Sequence, residues 1–227
     1  MNRMGPDRVL GGVDPTTVSL IVIAKAPVAG KAKTRLIPAL GADGAAAVAA
    51  ACLADTLEAV AATPAARRVI VLEGTPGAWL PEGFEVVAQR SGGLAHSLAG
   101  AFEDTGVTPA LLVGMDTPQV TPALLAESMA ALAAEGVDAV IGGAPDGGYW
   151  AIGLMSAEPR VFDGVPMSED DTGELQRERL RDLGLSFSEL PELRDVDTID
   201  SLRAVASEAP RTRCAAELAR LDGAPAR

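Results

Sequence analysis

The sequence predicts an α/β fold: one domain with helices on both faces of a mostly parallel central sheet. Two observations predict it. Short β-branched apolar runs alternate with Ala-rich stretches of helical composition along the 227 residues. The strongest runs, VSLIVIA at 18–24 and ALLVG at 110–114, are apolar almost throughout, as strands covered on both faces are. A hydrophobic content of 48 % allows a sizeable core, and with aromatics at 3 % that core must be filled by Ala, Val and Leu.

Taken in order, the first strand at 18–24 leads into a loop over 25–40. Residues 43–62 are Ala-rich and read as a helix ended by Thr63-Pro64. Strands follow at 68–72 and 84–88, separated by a Gly/Pro loop at 74–83. Residues 94–104 read as helix and 110–114 as a buried strand. Thr121 is placed as N-cap and Pro122 as first residue of a helix to 134. Strands are expected at 138–141 and 149–154, a helix at 171–183, a short strand at 185–190 and a helix at 199–206. Thr198 is the expected N-cap of that last helix. Ser201 stands where a capping box carries Glu or Gln, so no full box is expected. The domain is expected over 17–208, with a flexible leader at 1–16 and a peripheral tail at 209–227.

Charge narrows the function. Against 31 acidic residues stand 19 basic ones, a net of −12, so the chain is a poor general binder of nucleic acid or anionic membrane. Any anion it holds needs a local cluster of cations. The single histidine, His96, excludes a zinc site of several histidines. Cys52 and Cys214 have no metal-ligand spacing and are expected as buried free thiols. No run of about 18 apolar residues is found for a bilayer span, and residues 1–15 lack the apolar core of a secretory signal. A cytoplasmic location is the expectation.

Four segments carry candidate chemistry. In 24–36, Lys25, Lys31, Lys33 and Arg35 fall within eleven residues, around Gly30. Lys supplies point charge, Arg a bidentate fork, and glycine lets backbone N–H groups approach, all suited to phosphate. The alternative is a solvated basic loop, and the spacing is not that of a Walker A loop. In 114–118, Asp116 leaves a buried strand, placed either to hold Mg2+ or Mn2+ or to serve as a turn residue. In 194–198, Asp195 and Asp197 are expected to point to opposite sides, one toward the site and the other toward solvent or a cap. In 142–149, four glycines in seven residues demand a special backbone path. That path is either a tight hairpin or a wall for a second substrate, with Asp146 as base or hydroxyl binder.

Together these segments resemble a known group. The order K-x-P-x-x-G-x-x-K-T-R-L, G-x-D-x-P, D-G-G-Y-x-x-I-G-L, V-P-x-S and D-V-D-T-x-x-x-L is similar to the DUF2064 family, bacterial GT-A-fold proteins labelled as glycosyltransferases. The resemblance runs over about 19–205. The K-T-R-L loop, central Asp and D-V-D-T segment are also similar to the phospholactate and phosphoenolpyruvate guanylyltransferases. The resemblance implies the nucleotide-diphospho-sugar transferase fold. It further implies phosphate contacts from Lys25, Lys33 and Arg35, a divalent metal on Asp116 and Asp197, and an acceptor side at 146–149. The candidate sets are then Asp146, Lys33 and Arg35 as catalytic residues and Lys25, Gly30, Lys31, Lys33, Arg35 and Ser97 for the nucleotide. Asp146, Gly147, Gly148, Tyr149 and Ser168 form the acceptor set.

Two positions depart from the family pattern. Leu94-Ala-His-Ser97 replaces an L-G-x-R-like segment, so an Arg is missing, and Met167 stands where Trp precedes the Ser of V-P-W-S. Three functions follow as expectations. The first is glycosyl transfer from a nucleotide-sugar to a small-molecule acceptor. The second is nucleotidyl transfer from a nucleoside triphosphate to a phosphorylated or carboxylated acceptor. The third is nucleotide binding without catalysis.

Overall fold

The computed structural model describes residues 12–223. Seven strands form one sheet: β1 (Ser19–Lys25), β2 (Arg68–Glu73), β3 (Glu85–Ala88), β4 (Ala110–Gly114), β5 (Ala139–Gly143), β6 (Tyr149–Leu154) and β7 (Phe187–Leu190). Their order is β3-β2-β1-β4-β6-β5-β7. Only β6 runs antiparallel to its neighbours, β4 and β5; the remaining pairs are parallel. The helices are α1 (Ile37–Ala62), α2 (Leu94–Thr105), α3 (Pro122–Leu132), α4 (Thr172–Asp182), α5 (Ile199–Glu208) and α6 (Arg213–Asp222).

Strand periodicity divides the core. Leu20, Val22, Ile70, Leu72, Leu111 and Val113 face one apolar layer, shared with Leu53 and Leu57 of α1 and Leu125 and Met129 of α3. Ile21, Val69, Val71 and Leu112 face the other, with Leu98 and Phe102 of α2 and Leu180 of α4. Successive side chains point to opposite faces, so strands apolar at every position bury both. This is the three-layer α/β architecture expected, and it leaves the carboxyl ends of β1 and β4 adjacent at one edge.

The basic loop after β1 ends in a 3-10 turn at Thr34–Leu36 and enters α1, which is interrupted by Gly41 (φ 72°, ψ 169°). The regular helix begins beyond that kink, as the composition at 43–62 predicts. In length and composition the segment Thr34–Ala62 is apolar enough to cross a membrane, contrary to the expectation that no segment is. The reason is that α1 buries two faces. Ala49, Leu53, Leu57 and Val60 pack on the sheet, while Ala45, Val48 and Cys52 pack on a smaller core with Val196, Leu202 and Val205, Cys214 and Leu218.

Local caps set the helix starts. The Thr121 hydroxyl accepts from Leu124 N–H at 3.1 Å, as expected. At α5 a capping box does form, correcting the expectation. Thr198 Oγ1 accepts from Ser201 N–H, and Ser201 Oγ accepts from Thr198 N–H at 3.0 Å. A serine hydroxyl is long enough here to play the part usually given to Glu. Of the segment expected as a leader, residues 1–11 lie outside the described residues. Val13 N–H donates to Ala133 O at 3.0 Å.

Asp55 of α1 anchors α6. Its two carboxylate oxygens accept from Arg213 N–H and Cys214 N–H, each at 3.0 Å. These are first-turn donors with no partner inside their own helix. Asp55→Ala is expected to destabilise the protein by about 1–2 kcal/mol. Urea unfolding checks this, and an unchanged midpoint at unchanged slope excludes the anchoring role.

Candidate functional site

A cleft of about 1400 Å³ opens where β1 and β4 end. Single-ligand pockets run about 300–1,000 Å³, so this one has room for two substrates. Its lining is drawn from within segments 23–35, 89–98, 112–116, 144–151, 167–172 and 194–204, with Ala49 and Glu73. In α/β sheets this is the edge where ligands gather.

The loop at 25–36 supplies the cations. Gly30 turns it at φ 78° and lies outside the cleft lining. Lys33 itself adopts a left-handed backbone, φ 47°, which costs an L-residue about 1 kcal/mol. That conformation sends its side chain inward until it is only 9 % exposed. The Lys33 ammonium donates to Asp116 Oδ2 at 2.7 Å and stands 4.0 Å from Asp197 Oδ1. Burial pulls the lysine pKa down, but the adjoining Asp116 carboxylate outweighs it, and the net displacement is upward. Arg35, more exposed, pairs with the other Asp197 oxygen. Lys25 pairs with Glu73 at 2.9 Å on the cleft wall. Lys31 is exposed on the lining and has no ion-pair partner among the described residues.

Asp116 is positioned by backbone. A Cβ on Gly114 would come 2.9 Å from Asp116 Oδ1, so the glycine two residues earlier leaves room for the carboxylate. Val196 N–H donates to Asp116 O at 2.8 Å, and Val196 is fully buried in the small core under α1. This contact lays the D-V-D segment beside the end of β4. Asp195 and Asp197 both line the cleft. The expectation that they diverge is therefore corrected: residues i and i+2 of an extended segment share one face, and it is Val196 that points away. Asp195, named as an alternative to Asp197 but absent from the candidate sets, joins it in the cleft. The alternating D-V-D pattern with an apolar centre was the signal for it. Its carboxyl pKa is pushed up to about 6 by burial and by the neighbouring Asp116 and Asp146 carboxylates.

The opposite wall is the β5–β6 hairpin and the chain before α4. The glycine-rich segment connects β5 and β6 as a hairpin, and residues from it line the cleft. At Gly147 (φ 87°) a Cβ would fall 1.6 Å from Asp170 O, so no side chain fits. Asp146 is exposed, and its Oδ1 accepts from Gly148 N–H at 3.0 Å. Gly148, Tyr149 and Ser168 line the cleft; Gly147 lies behind them. The Tyr149 hydroxyl bonds Gln176 Oε1 at 3.2 Å, and burial holds its pKa well above the usual phenol value. Among the described residues only Lys33 and Ser168 are non-glycine residues at positive φ, and they face the same cleft from its two sides. Strained backbone of this kind gathers at functional sites.

At the third edge, Ser97 is buried, its hydroxyl bonded to Arg90 O and Gly93 O at 2.8 and 3.0 Å and to Gln89 Nε2. His96 is exposed and lies off the lining. Arg90 lines the cleft while its guanidinium pairs with Glu103 and Asp104. Met167 lines the cleft where the family pattern has Trp. No group of three His, Cys, Asp or Glu side chains spaced to hold a metal occurs among the described residues.

This fold is the nucleotide-diphospho-sugar transferase fold. A crystal structure of a Desulfovibrio desulfuricans G20 protein, provisionally named a nucleotide-diphospho-sugar transferase, is 30 % identical at a TM-score of 0.81. The match covers 90 % of this chain and 95 % of that one. The family model described as "Uncharacterized protein conserved in bacteria (DUF2064)" matches residues 46–169, and the chain belongs to this family. Two more distant structures share the fold. A nucleotidyl transferase from Methanothermobacter thermautotroptrophicus has 16 % identity and a TM-score of 0.58 over 86 % of this chain and 98 % of that one. A 2-C-methyl-D-erythritol 4-phosphate cytidylyltransferase from Thermus thermophilus has 19 % identity and 0.51 over 86 % and 99 %. No curated protein matches the chain.

Two outcomes are expected. A carboxyl group whose pKa is raised in the folded state stabilises it below the unfolded value of about 3.9. That contribution is lost as pH rises through the folded value of about 6. Asp195→Asn should therefore raise stability at pH 7–8 by about 1–2 kcal/mol, allowing for partial solvent screening, and flatten the pH dependence between about 4 and 6. Denaturation across that range tests it. Gly147→Ala should destabilise by more than about 1 kcal/mol, because both its φ and the Asp170 carbonyl oppose a side chain. A wild-type melting curve would contradict this.

Proposed function

We propose that this protein is a transferase acting on a nucleotide-activated donor, and that it transfers a glycosyl group from a nucleotide-sugar. The observation that carries this reading is the buried Lys33 ammonium between Asp116 and Asp197 at the mouth of the sheet. In a chain of net charge −12, the cations of this loop converge on a cleft that also holds carboxylates. Lys25, Lys31, Lys33 and Arg35 bind the diphosphate of the donor and offset the negative charge that grows on it as the bond to the sugar breaks. Lys33 does this by trading one anionic partner, Asp116, for another.

The carboxylates suit a divalent ion. Asp116 and Asp197 already flank one positive centre, and Mg2+ is commonly held by one or two carboxylates with phosphate oxygens and water. Held by Asp116 and Asp197, such an ion supplies further neutralisation of the departing nucleoside diphosphate. Asp146 faces the acceptor half of the cleft with Oδ1 engaged by Gly148 N–H, leaving Oδ2 to take a proton from an acceptor hydroxyl if the reaction inverts the anomeric carbon. Met167, Tyr149 and Ser168 border the acceptor.

The walls of the cleft favour glycosyl over nucleotidyl transfer. Segments 144–151 and 167–172 contribute Asp146, Glu169 and Asp170 to the lining and no Lys or Arg. A phosphorylated or carboxylated acceptor meets like charge there, whereas a neutral polyhydroxyl acceptor does not. The density of cations in the loop supports the second reading, because four cations also match a triphosphate.

Incubation with nucleoside triphosphates and with UDP-, GDP- and ADP-sugars in the presence of Mn2+ separates the readings. Stabilisation by a nucleotide-sugar with release of nucleoside diphosphate is expected. Preferential stabilisation by a triphosphate with release of pyrophosphate replaces glycosyl by nucleotidyl transfer, and binding without turnover of either leaves a nucleotide-binding protein. No effect of any nucleotide removes the proposal. Lys33→Ala and Asp116→Ala should each weaken nucleotide binding about tenfold or more, the scale of a charged hydrogen bond. Titration calorimetry measures both, and unchanged affinity in the two variants dismisses the site.

A further inference from the structure

Cys52 and Cys214 are the chain's two cysteines, and neither takes part in the cleft. Both are fully buried, one in α1 and one in α6, 162 residues apart in sequence. The Cys52 thiol donates to Cys214 Sγ at 3.3 Å. A disulfide bond is about 2.05 Å long, so the sulfurs need close only slightly over 1 Å, a distance small side-chain rotations can supply. The helices are held in register independently of the sulfurs. Asp55, three residues after Cys52, accepts from the backbone N–H of Cys214 itself, and Arg213 pairs with Glu58 one turn further on.

The pair has a defined place under the site. Cys52 and Cys214 belong to the same small core as Leu36, which follows Arg35, and Val196, which lies between Asp195 and Asp197. α6 otherwise contributes only Leu218 as a buried side chain. A bond at this point would close a loop spanning most of the chain, from the helix that follows the cationic loop to the last helix described.

We propose that Cys52 and Cys214 form a reversible intramolecular disulfide that ties α6 to α1 beneath the cleft. Each thiol gives up a proton and an electron, the S–S bond forms, and an oxidant takes both pairs. With an azo reagent such as diamide, the N=N bond becomes the hydrazine. With a low-molecular-weight disulfide, two thiols are released after a mixed disulfide on one cysteine is displaced by the other. The hydrogen bond to Cys214 and then burial hold the Cys52 thiol well above its usual pKa, with the Asp116 carboxylate adding to this and the Lys33 ammonium opposing it, so little thiolate exists at neutral pH and the reaction quickens as pH rises.

The test uses the full chain under native conditions. The protein is treated with diamide at about pH 8.5, blocked with N-ethylmaleimide after unfolding, and weighed intact. The expected product is a monomer lighter by two hydrogen atoms that takes up no maleimide. Its melting temperature should rise by about 5–15 °C, the span expected of a long-loop cross-link in a chain of this size, and return with dithiothreitol. Cys52→Ala and Cys214→Ser should each abolish both changes. If either variant fails to fold, the mass of the oxidised wild type still decides. Two maleimides on every chain after diamide, mixed adducts that never resolve, or cross-linked dimers as the only oxidised species would each overturn the proposal.

Discussion

A lysine ammonium enclosed between two aspartates is the constraint around which the cleft is arranged. Lys33 reaches Asp116 across 83 residues of sequence, and Arg35 reaches Asp197 across 162. To bring the ammonium there, the chain adopts a left-handed backbone at Lys33 and places Asp116 two residues after a glycine that leaves it space. A buried ion pair contributes little net stability, because desolvation consumes most of the attraction. What it supplies instead is a charge held in place and desolvated before any ligand arrives, the condition under which electrostatics acts most strongly on a transferring group.

The supporting structure is the small core beneath α1. Val196 inserts into it and offers its N–H to the carbonyl of Asp116, fixing Asp195 and Asp197 on the opposite face of the same extended segment. Leu36 enters the same core from the basic loop, so the cationic and anionic halves of the site rest on one set of apolar contacts. α5 and α6 are needed for this reason. The Thr198–Ser201 capping box starts α5 directly after Asp197, and Asp55 holds the start of α6. The polarity of the cleft follows from which segments reach it: most of its cations come from the loop after β1, and its acids from the end of β4, the D-V-D segment, the hairpin and the chain before α4.

Much of the fold was legible because its signals are local. Strands at 18–24, 68–72 and 110–114 are apolar on both faces, and a strand so composed can only sit inside a covered sheet. Thr121 and Pro122 announce a helix start through one hydroxyl and one fixed φ, and both are used as the sequence indicates. The loop from Lys25 to Arg35 was legible as a cation cluster from spacing alone. Two local readings needed correction. The D-V-D segment obeys the two-residue period of extended chain, which puts both aspartates in the cleft. At α5 a serine hydroxyl completes a box that the usual Glu pattern would not have shown. The reading of α1 by apolar runs also understated it, since a helix packed on two sides needs little polar surface.

The sequence by itself determined the order of elements, the cationic loop after the first strand, Asp116 at the end of β4 and the backbone freedom of the glycine hairpin. Each of these depends on residues within a few positions of one another. Only the tertiary structure decided that Lys33 sits between Asp116 and Asp197, that Asp195 faces them, and that Cys52 meets Cys214. Those approaches join residues tens to hundreds of positions apart. They are set by strand order and by which face of each helix is buried, and no short stretch of chain encodes either.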